Sequence, residues 1–319
     1  MPTLRVGLEF LEMWTNNKPK TDYALILFCC NHGYLPGANA ILNAMDYYEN
    51  KMDLHLIYDN LPGEYLESLR VSDLNYRIEA RALGEVLPMI ADKYRNEKWV
   101  DYLYRLMWTR IWYMIWLADK YKVTGLIDGD ALLLNNITPW FRMVEGTGYL
   151  ATAYHSFHGL FLENYNESLM RTHVPLFMTP CICEPGKWLS TLEMVMQLGR
   201  DGITGNEMEG LNRAILLSGN RDRVFVLTDI EWLEWHVFHF PIRSINLDNG
   251  KRYVFSLPTN IRANVLHGRW YSRGFRDSHA ANNGVLISNF GTLINEYRFF
   301  NESWKVKLFP SIVDKDWLR

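Results

Sequence analysis

Cysteine is scarce in this chain, with four residues in 319. They fall as Cys29-Cys30 and Cys181-Ile182-Cys183, a spacing that closes no zinc site, and within apolar sequence they read as reduced, buried thiols. No uninterrupted apolar run of about 18 residues is present, the length a membrane-spanning helix needs. Met1-Pro2-Thr3-Leu4-Arg5 leads into no long apolar stretch with a small-residue cleavage site, so the expected location is cytoplasmic. Without an export signal, the glycosylation sequons at Asn136, Asn166 and Asn301 carry no weight. Neither sign of charge dominates, since 33 Lys and Arg face 36 Asp and Glu for a net charge of -3. That excludes a strongly basic nucleic-acid binder, although Arg262, Arg269, Arg273 and Arg276 form a local basic stretch. Low-complexity tracts and internal repeats are also missing, which sets aside disordered and fibrous classes.

What remains is an ordinary globular composition, 48% hydrophobic and 22% charged, in a chain long enough to bury about three quarters of its unfolded surface. Tyr23 to Cys30 is a nearly continuous apolar run and reads as a strand covered on both faces. Asn31 to Gly37 reads as the turn after it, Ala38 to Tyr48 as a helix and Leu54 to Tyr58 as a second strand, an order that implies a parallel pair. A wide apolar stripe from about Lys98 to Tyr121 predicts a long buried helix, stopped before Gly125. Leu126 to Asp128 and Leu150 to Tyr154 read as strands, Lys187 to Leu198 and Glu209 to Leu217 as helices, and Val224 to Thr228 as a strand. No linker interrupts the chain, so a single domain spanning 1–319 is expected, with an elaborated C-terminal part.

The most informative stretch is Leu126-Ile127-Asp128-Gly129-Asp130, an apolar strand ending in two carboxylates. In extended backbone, residues two apart project to the same side, so Asp128 and Asp130 are expected to face one point beyond the strand end. Like charges at that spacing call for compensation, and a hard divalent cation supplies it through oxygen ligands. A solvated turn is the alternative. The carboxyl end of a parallel strand is also where ligands bind in open α/β sheets.

Four places resemble GT-A type nucleotide-sugar glycosyltransferases, specifically the glycogenin-like and bacterial lipooligosaccharide galactosyltransferase group. They are Phe28 to His32 after the first strand, Trp108-Thr109-Arg110-Ile111 in the long helix, Asp128-Gly129-Asp130 followed by Leu133 to Ile137, and Val265-Leu266-His267-Gly268. The resemblance implies a Rossmann-like α/β fold with a mostly parallel central sheet flanked by helices. Its nucleotide-binding part would span about 20–140, its acceptor-side part about 141–319. It implies a Mn2+ or Mg2+ ion held by Asp128, Asp130 and His267, and a UDP-sugar donor. That donor would be contacted by Cys30, Asn31, Arg110, Asp128, Arg269 and Arg273.

Glu207-Met208-Glu209-Gly210-Leu211-Asn212 resembles the group's Asp-Gln-Asp-x-Leu-Asn stretch, with Met208 in place of Gln and Glu in place of both acids. Glu207 or Glu209 is therefore the candidate catalytic residue, as a general base or as a contact to the donor sugar, with the stereochemistry left open. The alternative is a pair of solvated acids at a helix start. Acceptor classes consistent with this reading are a glycan, a lipid-linked saccharide, a protein side chain or a hydroxymethylated DNA base, as in phage enzymes. A nucleotidyltransferase is disfavoured because Asn31 to Gly37 lacks the basic Gly-rich loop such enzymes need. A non-catalytic sugar-nucleotide-binding module is the remaining competitor.

Overall fold

The structure is a computed structural model that describes residues 14–29, 35–59, 61–86, 102–129, 131–154, 176–205, 207–227, 230–232, 244–246, 252–254 and 265–267. Its centre is an eight-stranded sheet built from β1 (Trp14–Thr15), β2 (Tyr23–Cys29), β3 (Asp53–Tyr58), β4 (Ile78–Ala82), β5 (Val123–Asp128), β7 (Leu150–Tyr154), β8 (Leu176–Cys183) and β9 (Val224–Leu227). The strand order is β1-β4-β3-β2-β5-β8-β7-β9. β4, β3, β2 and β5 run parallel, as does β7 with β9, while β1 and β8 pair antiparallel to their neighbours.

Alternation along the parallel strands sorts the core into two layers. Leu25, Leu27, Leu54, Leu56, Val123 and Ile127 face one side. There they meet α1 (Leu35–Tyr47), α2 (Gly63–Val71) and α4 (Thr138–Val144) through residues such as Ile41, Leu69 and Phe141. Ala24, Ile26, Phe28 and Leu126 face the other side. That side is covered by α3 (Tyr102–Trp116), α5 (Pro185–Arg200) and α6 (Glu207–Leu217) through Ile111, Val195 and Leu211. A helix, sheet, helix sandwich results, with hydrophobic runs inside because both faces are covered.

Three local expectations are corrected, and one strand is added. Helix α1 begins at Leu35 rather than Ala38, because Pro36 in a first turn has no N–H that the helix would need. Gly125 lies inside β5 and is not a stop before it. A β-carbon there would lie 2.6 Å from Phe141 Cζ, so the missing side chain lets α4 close on the sheet. Helix α3 ends at Trp116 within the described residues, ahead of Tyr121, and its chain turns through residues 117–120. Strand β8, absent from the expected elements, contains Pro180 and pairs with both β5 and β7. Cys181 and Cys183 on β8 are free and buried, and burial pushes the Cys181 thiol up to about 12.

Under α3, near the starts of the parallel strands, lies a buried polar group. His55 Nε2 is 2.9 Å from the Tyr121 hydroxyl, which donates to Asp53 Oδ2 at 2.8 Å. Because the Tyr121 proton goes to Asp53, His55 must donate from Nε2 and accept at Nδ1, where the Tyr113 hydroxyl stands at 3.1 Å. Burial lowers the imidazole to about 4, and it is therefore neutral near pH 7.

Candidate active site

Asp128 is the last residue of β5 and, by alternation, shares its face with Leu126 beneath α3. Its side chain remains 26% exposed, because the strand has reached the carboxyl edge of the sheet. Phe28 lies opposite Asp128 in the register with β2, so the end of β2 flanks the same edge.

Arg110 leaves α3 toward this edge and joins two elements. Its Nη1 donates to Asp128 Oδ1 and its Nη2 to Glu207 Oε1. Glu207 is the first residue of α6, which a turn containing Gly202 at φ +68 brings back from the end of α5. The carboxylate is 2% exposed. Burial raises its pKa, against the lowering influence of the Arg110 charge, and the nearby Asp128 charge raises it further. Glu207 Oε2 has no hydrogen-bond partner among the described residues. Two carboxylates thus share one guanidinium, and one carboxylate oxygen has no hydrogen-bond partner among the described residues.

Glu209 stands differently although only two residues away. Its Oε2 accepts from the Gly205 backbone N–H at 2.9 Å, and the side chain is exposed. It reaches back to cap α6, the use a glutamate in a first helical turn ordinarily has.

The Asp128-Gly129-Asp130 geometry also differs from a continuous extended strand. β5 stops at Asp128, Gly129 is in a turn, and β6 (Ala131–Leu133) begins a separate three-stranded sheet with β13 (Val265–His267) and β10 (Ile230–Trp232), while β11 (Ser244–Asn246) and β12 (Arg252–Val254) pair with each other. The chain thus leaves one sheet for the other within two residues. In the small sheet, His267 lies opposite Ala131 in antiparallel register. The backbone of His267 therefore comes to the residue next to Asp130, although 136 positions separate Ala131 from His267 in the chain. Antiparallel partners of this kind sit about 5 Å apart between Cα atoms.

Of the residues expected in the site, Arg110, Asp128 and Glu207 meet directly. His267 is placed by its backbone, and Cys30, Asn31, Asp130, Arg269 and Arg273 lie outside the described residues. Among the described residues no group of three or more His, Cys, Asp or Glu is arranged to hold a metal ion. The donor chemistry nonetheless suits a hard cation: a partly exposed carboxylate at a strand end and an unsatisfied carboxylate oxygen beside it. The Arg110–Glu207 pairing itself was not foreseen, because 97 residues separate the two.

No family model matches the sequence, and no curated protein is similar to it by sequence. Solved structures are similar in shape. The apo form of mouse xyloside xylosyltransferase 1 superposes with a TM-score of 0.52 at 11% identity, over 78% of this chain and 98% of that one. An active-site mutant of the galactosyltransferase LgtC gives 0.53 at 13% identity, over 85% and 95%. The apo glycosyltransferase GlyE of Streptococcus pneumoniae gives 0.53 at 13%, over 90% of this chain and 62% of that one. A parallel sheet ending in an acidic turn, an arginine reaching that turn from the covering helix, and this likeness of shape together identify the fold as GT-A.

Proposed function

We propose that the chain transfers a sugar from a nucleotide-diphosphate donor, a UDP-sugar, to an acceptor hydroxyl, with a divalent cation at Asp128 and Asp130. The observation that carries this reading is the Arg110 bridge between Asp128 and buried Glu207 at the carboxyl edge of a GT-A sheet. His267, brought beside this turn by strand pairing, completes the ligands. Mn2+ or Mg2+ bound there would supply Lewis-acid stabilisation of the leaving diphosphate.

The protein side chains have distinct tasks in this reading. Arg110 holds Asp128 in place and presents positive charge to the diphosphate. Arg269 and Arg273 add charge on the donor side, and Cys30 and Asn31 line the nucleotide end. Glu207, rather than the solvent-facing Glu209, is the carboxylate that meets the reacting sugar. Its raised pKa suits a group that holds or takes a proton at Oε2.

The test is hydrolysis across a panel of nucleotide sugars, with and without Mn2+, by wild type, Asp128→Ala and Asp130→Ala. Loss of about a hundredfold in both variants is expected, on the scale of removing an electrostatic contact to a developing charge. Thermal denaturation with UDP should show stabilisation that requires the metal, worth about 2.7 kcal/mol at a hundred times Kd. Equal turnover in wild type and Asp130→Ala would exclude the metal assignment. Stabilisation by nucleotide without any turnover would favour a binding module.

A further inference from the structure

On the α3 side of the sheet, Gly199 lies in the last turn of α5 and Gly210 within α6. Each costs its helix about 1 kcal/mol relative to alanine. One side chain explains both. A β-carbon at Gly199 would lie 2.7 Å from Cε2 of the Trp108 indole, and closer still to Cζ2 and Cη2. A β-carbon at Gly210 would lie 3.2 Å from Trp108 Cη2 and 3.0 Å from Val195 Cγ1. The indole, 3% exposed, therefore fills a notch that the bare Gly199 leaves open and Gly210 widens.

The place of this notch links it to the site. Trp108 precedes Arg110 by two residues on α3, which is about 200° of helical turn, so the two leave the helix on nearly opposite sides. Trp108 enters α5 and α6 while Arg110 crosses to the sheet edge. Gly210 lies three residues after Glu207 on α6, within one helical turn. The same wedge thus sets the roll of α3 and its distance from the turn of α6 that carries Glu207.

We propose that Trp108, seated between Gly199 and Gly210, is a positioning residue that holds Arg110 against Glu207 and Asp128 in the geometry the reaction needs. The inference rests on the sugar-transfer reading for its kinetic consequence, but not for its structural one. Misplacement by about 1 Å far from the reacting atoms is enough to cost a large factor in rate.

The experiment compares donor hydrolysis by wild type, Gly199→Ala, Trp108→Phe and the double variant, at temperatures well below each melting point. Gly199→Ala should lower kcat at least tenfold with KM changed less than threefold, and Trp108→Phe should lower kcat less. The double variant should regain kcat to within threefold of Trp108→Phe, because the smaller ring admits the new methyl. A folded Gly199→Ala with wild-type kcat overturns the proposal, as does a double variant no better than Gly199→Ala. If Gly199→Ala does not fold, Trp108→Phe decides: reduced kcat with KM retained supports the proposal, and unchanged kcat overturns it. If wild type turns over no donor, the sugar-transfer reading fails. The positioning claim is then read from melting temperatures of Trp108→Phe, Glu207→Gln and their combination. Non-additive shifts support it, and additive shifts overturn it.

Discussion

Two ionic clusters lie on the same face of the sheet, near opposite ends of its parallel strands, and they are balanced differently. Around His55, the acids Asp53 and Glu79 meet Arg77 and Arg81, with Glu79 Oε1 at 2.8 Å from Arg81 Nη2. Tyr121 and Tyr113 add hydrogen bonds, so the charges cancel and the imidazole is satisfied at both nitrogens, although Arg77 Nε has no hydrogen-bond partner among the described residues. At the other end Asp128 and Glu207 share Arg110, and Glu207 Oε2 is left without a partner among the described residues. A network closed in charge fastens the fold. An open one retains the capacity to bind something, and unsatisfied buried acceptors in folded proteins call for a reason of this kind.

The largest expected effect comes from unbalancing the open cluster further. Arg110→Ala leaves the buried Glu207 carboxylate without its counter-ion and should cost about 3–5 kcal/mol, read as a fall in the urea midpoint. Arg110→Met combined with Glu207→Gln should recover most of that stability and none of the donor hydrolysis. Recovery of both would show that the charges serve the fold alone.

The closed cluster is sharpened by pH. The folded state holds His55 neutral with a pKa of about 4, against 6.5 when unfolded, so below 6.5 the unfolded chain binds the extra proton. Stability from this group is complete above pH 6.5 and is lost as pH falls toward 4, amounting to about 2 kcal/mol between pH 7 and pH 5. Burial raises Asp53, which works in the opposite direction within the carboxylate range. Urea midpoints at pH 7 and pH 5 should therefore diverge in wild type and converge in His55→Gln. A wild-type slope retained in that variant would place the titration elsewhere.

The smallest effect separates the two glutamates of α6. Glu209→Ala removes the cap on Gly205 and should cost about 1 kcal/mol in thermal unfolding, with hydrolysis changed less than threefold. A hundredfold loss of hydrolysis in Glu209→Ala would reverse the roles assigned to Glu207 and Glu209.

Much of this could be seen before any coordinates. Strand β7 was legible to the residue, and β2, β3 and β5 to within a few, because strands covered on both faces must be apolar throughout. Helices α5 and α6 showed through their spacing. Strand β8 did not, since Pro180 speaks against a strand and the neighbours that make it one are far away in sequence. Candidate residues Arg110, Asp128 and Glu207 were named from motif and position alone. Their mutual contact was not legible, because it depends on where α6 starts after the Gly202 turn.

The chain by itself determined the alternating layers, the acidic end of β5 and the chemistry that two carboxylates and an arginine can offer, all local consequences of side-chain polarity and backbone periodicity. Only the tertiary structure decided which acid is buried and which caps a helix, and that His267 pairs beside the acidic turn. The same holds for the two glycines that make room for one tryptophan. Those outcomes depend on close packing between distant segments, where a single β-carbon changes what fits.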